Sequence, residues 1–356
     1  MLRKGLAATL ISLSLVPLLV LPVLAQDATP EATGEMTMPN AVLSGLNNPR
    51  GISYDADGNL YVAEAGAGGD NVLMATPDGD IKAGFSSQIN MLSKDDKQSI
   101  ALPGLFSVAT PSGETTGIAA VYAQGDSLWL ALSGGGPAPN PQPLYGDAVI
   151  EVDKTNGRIK TYIDTFAYEL ANNPDGADVV DSNVNNLTWG PDGTLYIVDT
   201  GANDILSWTP TNGLKTFAVW KDDPVPTAMR FAPDGTFYVS FLGQGLAPGA
   251  GKVEHWSADG KTLMDTFGNL TTVTDIAIGK DGGVYAVELL TQFGAQGPVP
   301  MTGAVVEVSK DGANPVAENL PQPYALAQAP DGSWAVSVGS TFGPPGTGAV
   351  IKLGGS

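Results

Sequence analysis

The chain has 356 residues, of which 43% are hydrophobic and 15% are charged. This composition is that of a globular protein and excludes an intrinsically disordered one. The formal charge of −20 disfavours nucleic acids and anionic lipids as partners. The absence of cysteine excludes disulfides, thiol nucleophiles and thiolate metal sites.

Residues 1–25 have the three parts of a secretory signal peptide. Arg3 and Lys4 precede an apolar run, which ends in the small-residue sequence "VLA" at Ala25. The run is also long enough to span a bilayer, so an uncleaved anchor is the alternative, but its two prolines favour cleavage. Residues 26–39 are then predicted to be a disordered linker, and the mature protein to be secreted without membrane attachment.

From residue 40 onwards, a pair of strands joined by a tight turn occurs six times. The line "NPRGISYDADGNLYVAEAG" begins at Asn48, and similar lines begin at residues 116, 185, 226, 274 and 323. Five of the six turns contain Asp-Gly, which supplies the positive φ that tight hairpins require. Two more strands follow in each repeat, and such four-stranded units are typical of propeller blades. We therefore predict an all-β, six-bladed β-propeller over residues 40–356.

The last repeat has only three strands before the chain ends. Near the start, "NAVLSGLNNPRG" aligns with "VAENLPQPYA", a fourth strand that leads into the next blade. We predict that Ala41–Leu46 completes blade six. The two ends of the chain would then close the ring and remove two sheet edges.

The long loops are predicted to lie on the face opposite the Asp-Gly turns, here called the top face. They are residues 134–147, 243–251, 291–303 and 339–348, together with insertions at 83–115 and 164–185. In the first repeat, "NVLMAT" at 71–76 is predicted to be the third strand. Elaborated loops on a rigid scaffold commonly carry recognition, and their candidate aromatic anchors are Tyr145, Phe293 and Phe342.

Polar residues are predicted to meet at the top mouth of the central channel, where first strands begin and second strands end. The residues of this predicted ligand site are Arg50, Glu64, Asn186, Asp199, Asp275, Glu288 and Tyr324. Carboxylates that converge in this way must be paired with a base, hydrogen-bonded or bridged by a cation.

Two explanations of these acidic residues remain open. The sequence requires no cofactor, but Glu64, Asp199 and Glu288 are candidate ligands for Ca²⁺. Alternatively, each carboxylate accepts backbone N–H groups of its own turn, as Asp199 could in "VDTGAND". The same two explanations apply to "NPDGADVVDSNVNN", whose oxygen-bearing side chains include Asp175, Asp178, Asp181 and Asn183.

The lines "SGLNNPRGISYDADGNLYVAEAGAGG", "NPDGADVVDSNVNNL" and "DGTLYIVDTGAND" resemble the ScyD/ScyE family over roughly residues 40–355. These are exported propeller proteins named after a cyanobacterial gene cluster for the pigment scytonemin. The resemblance implies an exported propeller but no reaction. Val184 replaces a turn proline of the family, where "DSNP" reads "DSNV".

A looser resemblance is to calcium-dependent lactonases of the gluconolactonase type. These are six-bladed, with Glu, Asn and Asp around one divalent ion in the channel. Asn186 is similar to their Asn, and Asp275 to their Asp. Arg50 stands where their first-blade Glu would be, and an arginine there would repel the ion.

Three hypotheses about function follow. The first is a binding or scaffold protein of the cell envelope, monomeric, whose partner is a small molecule or an envelope protein. The second is a Ca²⁺-dependent hydrolase of the lactonase type, and the third is a structural domain without a small ligand. No catalytic residue is assigned, because the single histidine, His255, is predicted in a third strand away from the channel.

Overall fold

The computed structural model describes residues 38, 40–134, 146–294, 297–341 and 343–354. The predicted signal peptide and nearly all of the predicted linker lie outside these ranges, as do Tyr145 and Phe342. Within them, six sheets of four or more antiparallel strands follow one another as blades. The prediction of an all-β, six-bladed propeller is confirmed.

The first strand, β1 (Ala41–Leu46), precedes blade one, which is the largest sheet. The strands of blade one are β2 (Pro49–Tyr54), β3 (Leu60–Glu64), β4 (Asn71–Thr76), β5 (Gly79–Leu92), β6 (Gln98–Ala109) and β7 (Thr115–Thr116). β3 pairs with the C-terminal part of β5, where Glu64 lies opposite Gln88 and Leu60 lies opposite Leu92. β4 pairs with the N-terminal part of β5 instead.

The prediction that residues 71–76 form the third strand of blade one is therefore wrong. The third strand is the C-terminal part of β5, and β6 is the fourth, so the predicted insertion at 83–115 contains most of both. β4 is largely exposed, whereas all five residues of β3 are buried. A β-rich pattern does not reveal which strand a segment pairs with, because pairing and burial are decided by the tertiary fold.

Blades two to five each contain four strands in sequence order, with the first strand next to the channel. Blade two contains β8 (Ile118–Gln124), β9 (Ser127–Leu132), β10 (Ala148–Asp153) and β11 (Ile159–Asp164). Blade three contains β12 (Val184–Trp189), β13 (Leu195–Asp199), β14 (Asp204–Thr209) and β15 (Gly213–Val219). Blade four contains β16 (Pro226–Phe231), β17 (Phe237–Phe241), β18 (Gly251–Trp256) and β19 (Leu263–Leu270). Blade five contains β20 (Val273–Ile278), β21 (Val284–Glu288), β24 (Gly303–Ser309) and β25 (Gly312–Leu320), with the small hairpin β22 (Phe293–Gly294) and β23 (Gly297–Pro298) between its second and third strands.

Two short helices interrupt this order. The helix α1 (Thr165–Asn172) links blade two to blade three, and a 3-10 turn (Gln244–Leu246) follows β17. The Asp164 side chain caps α1 by accepting the Ala167 N–H. In the described part of the chain, no helix has the length and apolar composition needed to cross a bilayer.

Blade six is completed by the N-terminal strand, as predicted. Its own strands are β26 (Leu326–Gln328), β27 (Trp334–Val338) and β28 (Gly348–Leu353). β1 pairs antiparallel with β28, with Leu43 opposite Val350 and Leu46 opposite Gly348. The side chains of Leu43 and Leu46 are buried, so β1 adds apolar contacts as well as backbone hydrogen bonds.

A buried apolar cluster fills each of the six interfaces between neighbouring blades. Between blades six and one, for example, Leu43 and Val350 meet Ile52 and Val62. The other five clusters are similar and follow the ring in order. The core is therefore a ring of sheet-to-sheet contacts, which holds the first strands, and the residues that precede them, around the channel.

Candidate functional site

A pocket lies at the top mouth of the channel. Its polar side is formed by Arg50, Glu114, Asn185 and Tyr324, and its apolar side includes Leu242, Leu246, Leu289 and Leu290. The polar group belongs mainly to the inner ends of the blades, whereas the leucines follow second strands on the top face. The enclosed volume is about 80 Å³. An apolar cavity of roughly 150 Å³ binds benzene, so the enclosed part, at about half that volume, takes only part of a ligand of that size.

Hydrogen bonds join side chains of different blades in the lining of this pocket. Arg50 Nη1 donates to Tyr324 Oη at 3.2 Å, and Tyr324 Oη donates to Asn185 Oδ1. Arg50 Nη2 donates to the Thr115 carbonyl oxygen at 2.5 Å, and the guanidinium lies 5.0 Å from the centre of the Tyr324 ring. Blades one, three and six thus meet through three side chains, two of which, Arg50 and Tyr324, were predicted site residues.

Two ionisable groups, Arg50 and Glu114, line the polar side of the pocket. Arg50 Nε is buried and has no hydrogen-bond partner among the described residues. Glu114 is 4% exposed, and burial raises the pKa of its carboxyl, although the charge of Arg50 lowers it in part. The pocket therefore offers one cationic donor beside one carboxyl group.

A second layer of the channel contains Asn186 and Asp275, joined by Arg230. Arg230 Nη1 donates to Asn186 Oδ1 at 2.6 Å, and Arg230 Nη2 donates to Asp275 Oδ1 at 2.8 Å. The Asn186 amide also donates to Asp275 Oδ1 at 3.3 Å, and the Leu326 N–H donates to Asp275 Oδ2 at 3.1 Å. Burial raises the pKa of Asp275, and these donors offset part of that rise. The guanidinium lies where the lactonase resemblance implies a divalent ion.

Arg230 was not predicted from the sequence, although a signal was present. It occupies a first-strand position where four of the other five repeats have a small or hydroxyl-bearing residue, namely Ser53, Thr188, Ala277 and Ala327. A charged residue at a position that holds a small or hydroxyl-bearing residue in most other repeats indicates that the charge has a specific partner. The partner could not be identified, because Asn186 and Asp275 lie in other blades.

The three acids at the ends of second strands each accept hydrogen bonds within their own blade. Glu64 Oε2 accepts the Asn47 N–H at 2.5 Å, and Glu288 Oε1 accepts the Thr271 N–H at 2.6 Å. Asp199 Oδ1 likewise accepts the Asn183 N–H at 2.6 Å. Burial raises the pKa of all three carboxyl groups, and these N–H donors lower it in part. In each odd blade, the acid therefore ties the segment before the first strand to the end of the second.

Asp199 also belongs to a cluster of acidic residues in which Glu64 and Glu288 do not take part. Carboxylate oxygens of Glu169, Asp199 and Asp204 lie within 4.8 Å of one another, and all three residues are buried. Burial, together with the Asp199 charge, raises the pKa of Glu169 to about 9 and that of Asp204 well above its usual range. Among the described residues, this is the one group of three potential metal ligands that lie close together.

The sequence held a signal for two of the three residues of this cluster. Asp199 ends β13 and Asp204 begins β14, and the two residues lie directly opposite in the hairpin. Like charges at opposed positions are destabilising unless something compensates them, so "DTGAND" could have been singled out. Glu169 comes from α1, and no local pattern relates it to this hairpin.

The acidic loop at 173–186 contains turn bonds of its own. Asp175 Oδ1 accepts the Ala177 N–H, and Asp181 Oδ1 accepts the Ser182 N–H. Asp178 is exposed. Burial and the Asp199 charge raise the pKa of Asp181 to about 7. The loop thus extends the negative charge around Asp199.

Two smaller predictions concern residues away from the axis. His255 lies in β18, the third strand of blade four, as predicted, where its ring stacks on Tyr238 with centroids 4.2 Å apart. Phe293 is half-buried in the short hairpin of blade five. Neither residue lines the pocket at the channel mouth.

No protein-family model matches the chain, and no curated protein matches it in sequence. Solved structures do match. A gluconolactonase from Xanthomonas campestris, XC5397, aligns with a TM-score of 0.55 and 12% identity, covering 88% of this chain and 88% of that one. The calcium-binding protein regucalcin from Agrobacterium tumefaciens aligns at 0.52 and 14%, covering 87% and 91%.

The aldose sugar dehydrogenase of Streptomyces coelicolor, in its PQQ-bound form, aligns at 0.53 with 15% identity, covering 91% of this chain and 99% of that one. The three proteins differ in what they bind or catalyse. At these identities, the similarity shows the propeller fold alone, because one fold supports many unrelated sites.

Proposed function

We propose that the chain is a secreted propeller of the ScyD/ScyE type, a binding or scaffold protein of the cell envelope that takes a small molecule at its top face. The sequence resemblance and the signal-peptide pattern support the family and the export. The pocket at the channel mouth supports the binding role. The observation that carries the proposal is the unpartnered Arg50 Nε beside Glu114, below a wall of leucines.

The chemistry of this pocket indicates an amphipathic ligand. Ligand sites combine apolar walls with a few placed polar groups, and this pocket has both. A polar head could accept from Arg50 Nε and donate to Glu114, while an apolar body lies between the leucines. The small enclosed volume limits the head to a few atoms, such as an amide, a hydroxyl or a carboxyl group.

A Ca²⁺-dependent hydrolase of the lactonase type is the alternative. The propeller fold is as compatible with it as with a binding protein, since a gluconolactonase is among the matching structures. The alternative requires a cation beside Asn186 and Asp275. Arg230 already supplies a cation there through two short hydrogen bonds, and for this reason we place binding first.

The pocket proposal is tested with a panel of three probes, namely phenol, benzoate and benzamide. We expect at least one probe to raise the melting temperature and to bind in calorimetry. Arg50→Lys should weaken that binding by about tenfold, because lysine retains the charge but lacks the Nε donor and the planar fork. The matched control is Arg158→Lys, which makes the same change at an exposed position of blade two.

Two outcomes would count against the proposal. If none of the probes bound, the pocket would have no demonstrated ligand. If Arg50→Lys bound a probe as tightly as the wild type, the probe would bind at a site other than this pocket. Hydrolysis of glucono-δ-lactone in the presence of CaCl₂, above the uncatalysed rate, would favour the hydrolase instead.

A further inference from the structure

The acidic cluster of blade three brings together carboxylates from two separate elements. Asp199 and Asp204 are opposed residues of the β13–β14 hairpin. Glu169 lies on the buried face of α1, beside Thr165 and Phe166. The cluster lies at the second and third strands of its blade, so it is separate from Asn186 and Asp275, which belong to first strands.

Two of these three acids, Asp204 and Glu169, lack partners that buried acids normally have, whereas Asp199 accepts hydrogen bonds within its own blade. Both oxygens of Asp204 and Oε1 of Glu169 are buried without a hydrogen-bond partner among the described residues. Asp204 is 0% exposed. None of the ion pairs in the described ranges reaches Glu169, Asp199 or Asp204.

Such an arrangement is costly without a compensating cation. A buried polar atom with no partner loses its hydrogen bonds to water without replacement, and an unpaired buried charge is more costly still. In contrast, Glu64 and Glu288 occupy the position of Asp199 in other blades and have no second acid opposite them, because Gln88 and Ala304 stand there. A group of three close acidic residues, as in blade three, is therefore not required for a blade to fold.

We propose that Glu169, Asp199 and Asp204 bind a Ca²⁺ ion that fastens the α1 link to blade three. Oxygen ligands of one Ca²⁺ lie about 2.3–2.6 Å from it, so two ligands on opposite sides are separated by roughly 4.6–5.2 Å. The carboxylate oxygens here lie within 4.8 Å of one another. Mg²⁺ needs shorter bonds in a strict octahedron and retains its waters, so it is the less suitable ion.

The site would act on the pocket wall through Asp199. The Asn183 N–H and the Ser182 hydroxyl both donate to the Asp199 carboxylate, and Asn183 and Thr200 line the pocket at the channel mouth. A bound ion would therefore hold the end of the 173–183 segment in place. The Ca²⁺ site does not depend on the identity of the ligand proposed for that pocket.

The test uses the full protein stripped with EDTA and titrated with CaCl₂, in calorimetry and in thermal unfolding. We expect Ca²⁺ to bind and to raise the melting temperature, and MgCl₂ to do so less. Asp204→Asn and Glu169→Gln should each weaken Ca²⁺ binding by about tenfold or more, since carboxylate ligands set Ca²⁺ affinity. Glu288→Gln is the matched control, because it neutralises the equivalent buried acid of blade five and should leave Ca²⁺ binding unchanged.

A second measurement separates loss of binding from loss of folding. Without Ca²⁺, Asp204→Asn should melt no lower than the wild type, because it removes repulsion at nearly the same volume. In the wild type, Ca²⁺ should slow hydrogen exchange of residues 165–183 more than that of blade five. An absence of Ca²⁺ binding to the wild type, or undiminished binding to both variants, would overturn the proposal.

Discussion

Arg230 shows how one side chain can decide what the channel is able to bind. It donates to Asn186 and Asp275 at distances of 2.6 and 2.8 Å. The Asp275 side chain is 2% exposed and that of Arg230 is 26% exposed, so the pair lies at the edge of the solvent-accessible region. Because an arginine cannot be deprotonated in a protein, its charge is permanent, and a divalent ion in the same layer would be repelled.

Removal of this arginine should therefore be strongly destabilising. Arg230→Met leaves Asp275 buried without its cation, which should lower the free energy of unfolding by about 3–5 kcal/mol. Adding Asp275→Asn removes the uncompensated charge, so the double variant should be more stable than Arg230→Met alone. Urea unfolding of the three proteins measures both effects.

An exposed ion pair provides the control. Lys261 and Asp259 are 81% and 58% exposed, and Lys261→Met should change the free energy of unfolding by about 1 kcal/mol or less. If the Arg230 and Lys261 variants lost the same stability, burial would not be the reason for the effect. Equal stability of Arg230→Met and the double variant would mean that Asp275 does not need its cation.

At the scale of the element, β1 is a strand that pairs with a blade far from it in sequence. It belongs to blade six, although blades one to five lie between β1 and the other strands of that blade along the chain. Leu43 and Leu46 of β1 are buried and Ser44 is exposed. The register shifts between Ser44 and Leu46, which allows two residues three positions apart to face the same interface. The strand covers the edge of β28, which would otherwise present unpaired backbone groups. The helix α1 has a comparable role between blades two and three, since it carries Glu169 to the hairpin of Asp199.

The packing of β1 should contribute measurably to stability. Leu46→Ala should lower the free energy of unfolding by about 2–5 kcal/mol, since it deletes buried methyl groups and leaves a cavity. Ser44→Ala, on the same strand, should change it by less than about 0.5 kcal/mol because the side chain is exposed. Chemical denaturation distinguishes the two variants, and equal losses would show that β1 is held by its backbone alone.

For the whole molecule, the main consequence of the fold is a closed ring. Each of the six interfaces contains a buried apolar cluster, and the interface between blades six and one includes Leu43 and Leu46 from the N-terminal strand. Side chains also join blades across the axis, as Tyr324 joins blade six to Asn185 of blade three. Every blade thus has two neighbours, which favours cooperative unfolding.

Opening the ring should make the blades differ in their protection from hydrogen exchange. In the intact chain, we expect one unfolding transition and similar protection of the six blades in hydrogen exchange. In a chain that begins at residue 47, blade six should exchange faster than blade three, because β28 loses its outer partner. Exchange followed by mass spectrometry tests this, and uniform exchange in the shortened chain would show that β1 does not close the ring.

Local patterns in the sequence were sufficient for the architecture. The Asp-Gly turns predicted five of the six hairpins, and Gly58, Gly193, Gly235, Gly282 and Gly332 all have the positive φ that such turns require. Alignment of the chain ends predicted the pairing of β1 with blade six. These features could be predicted because turn chemistry and strand repeats are encoded over a few neighbouring residues.

Only the tertiary structure decided which polar groups meet. Arg230 reaches one acid and one amide, each in another blade, and Glu169 approaches Asp204 from a helix 35 positions earlier in the sequence. Likewise, the strand that pairs with β3 in blade one is the C-terminal part of β5 and not β4, which is nearer in sequence. Repeats and turns act over short distances along the chain, whereas charge compensation and strand choice depend on distances in space.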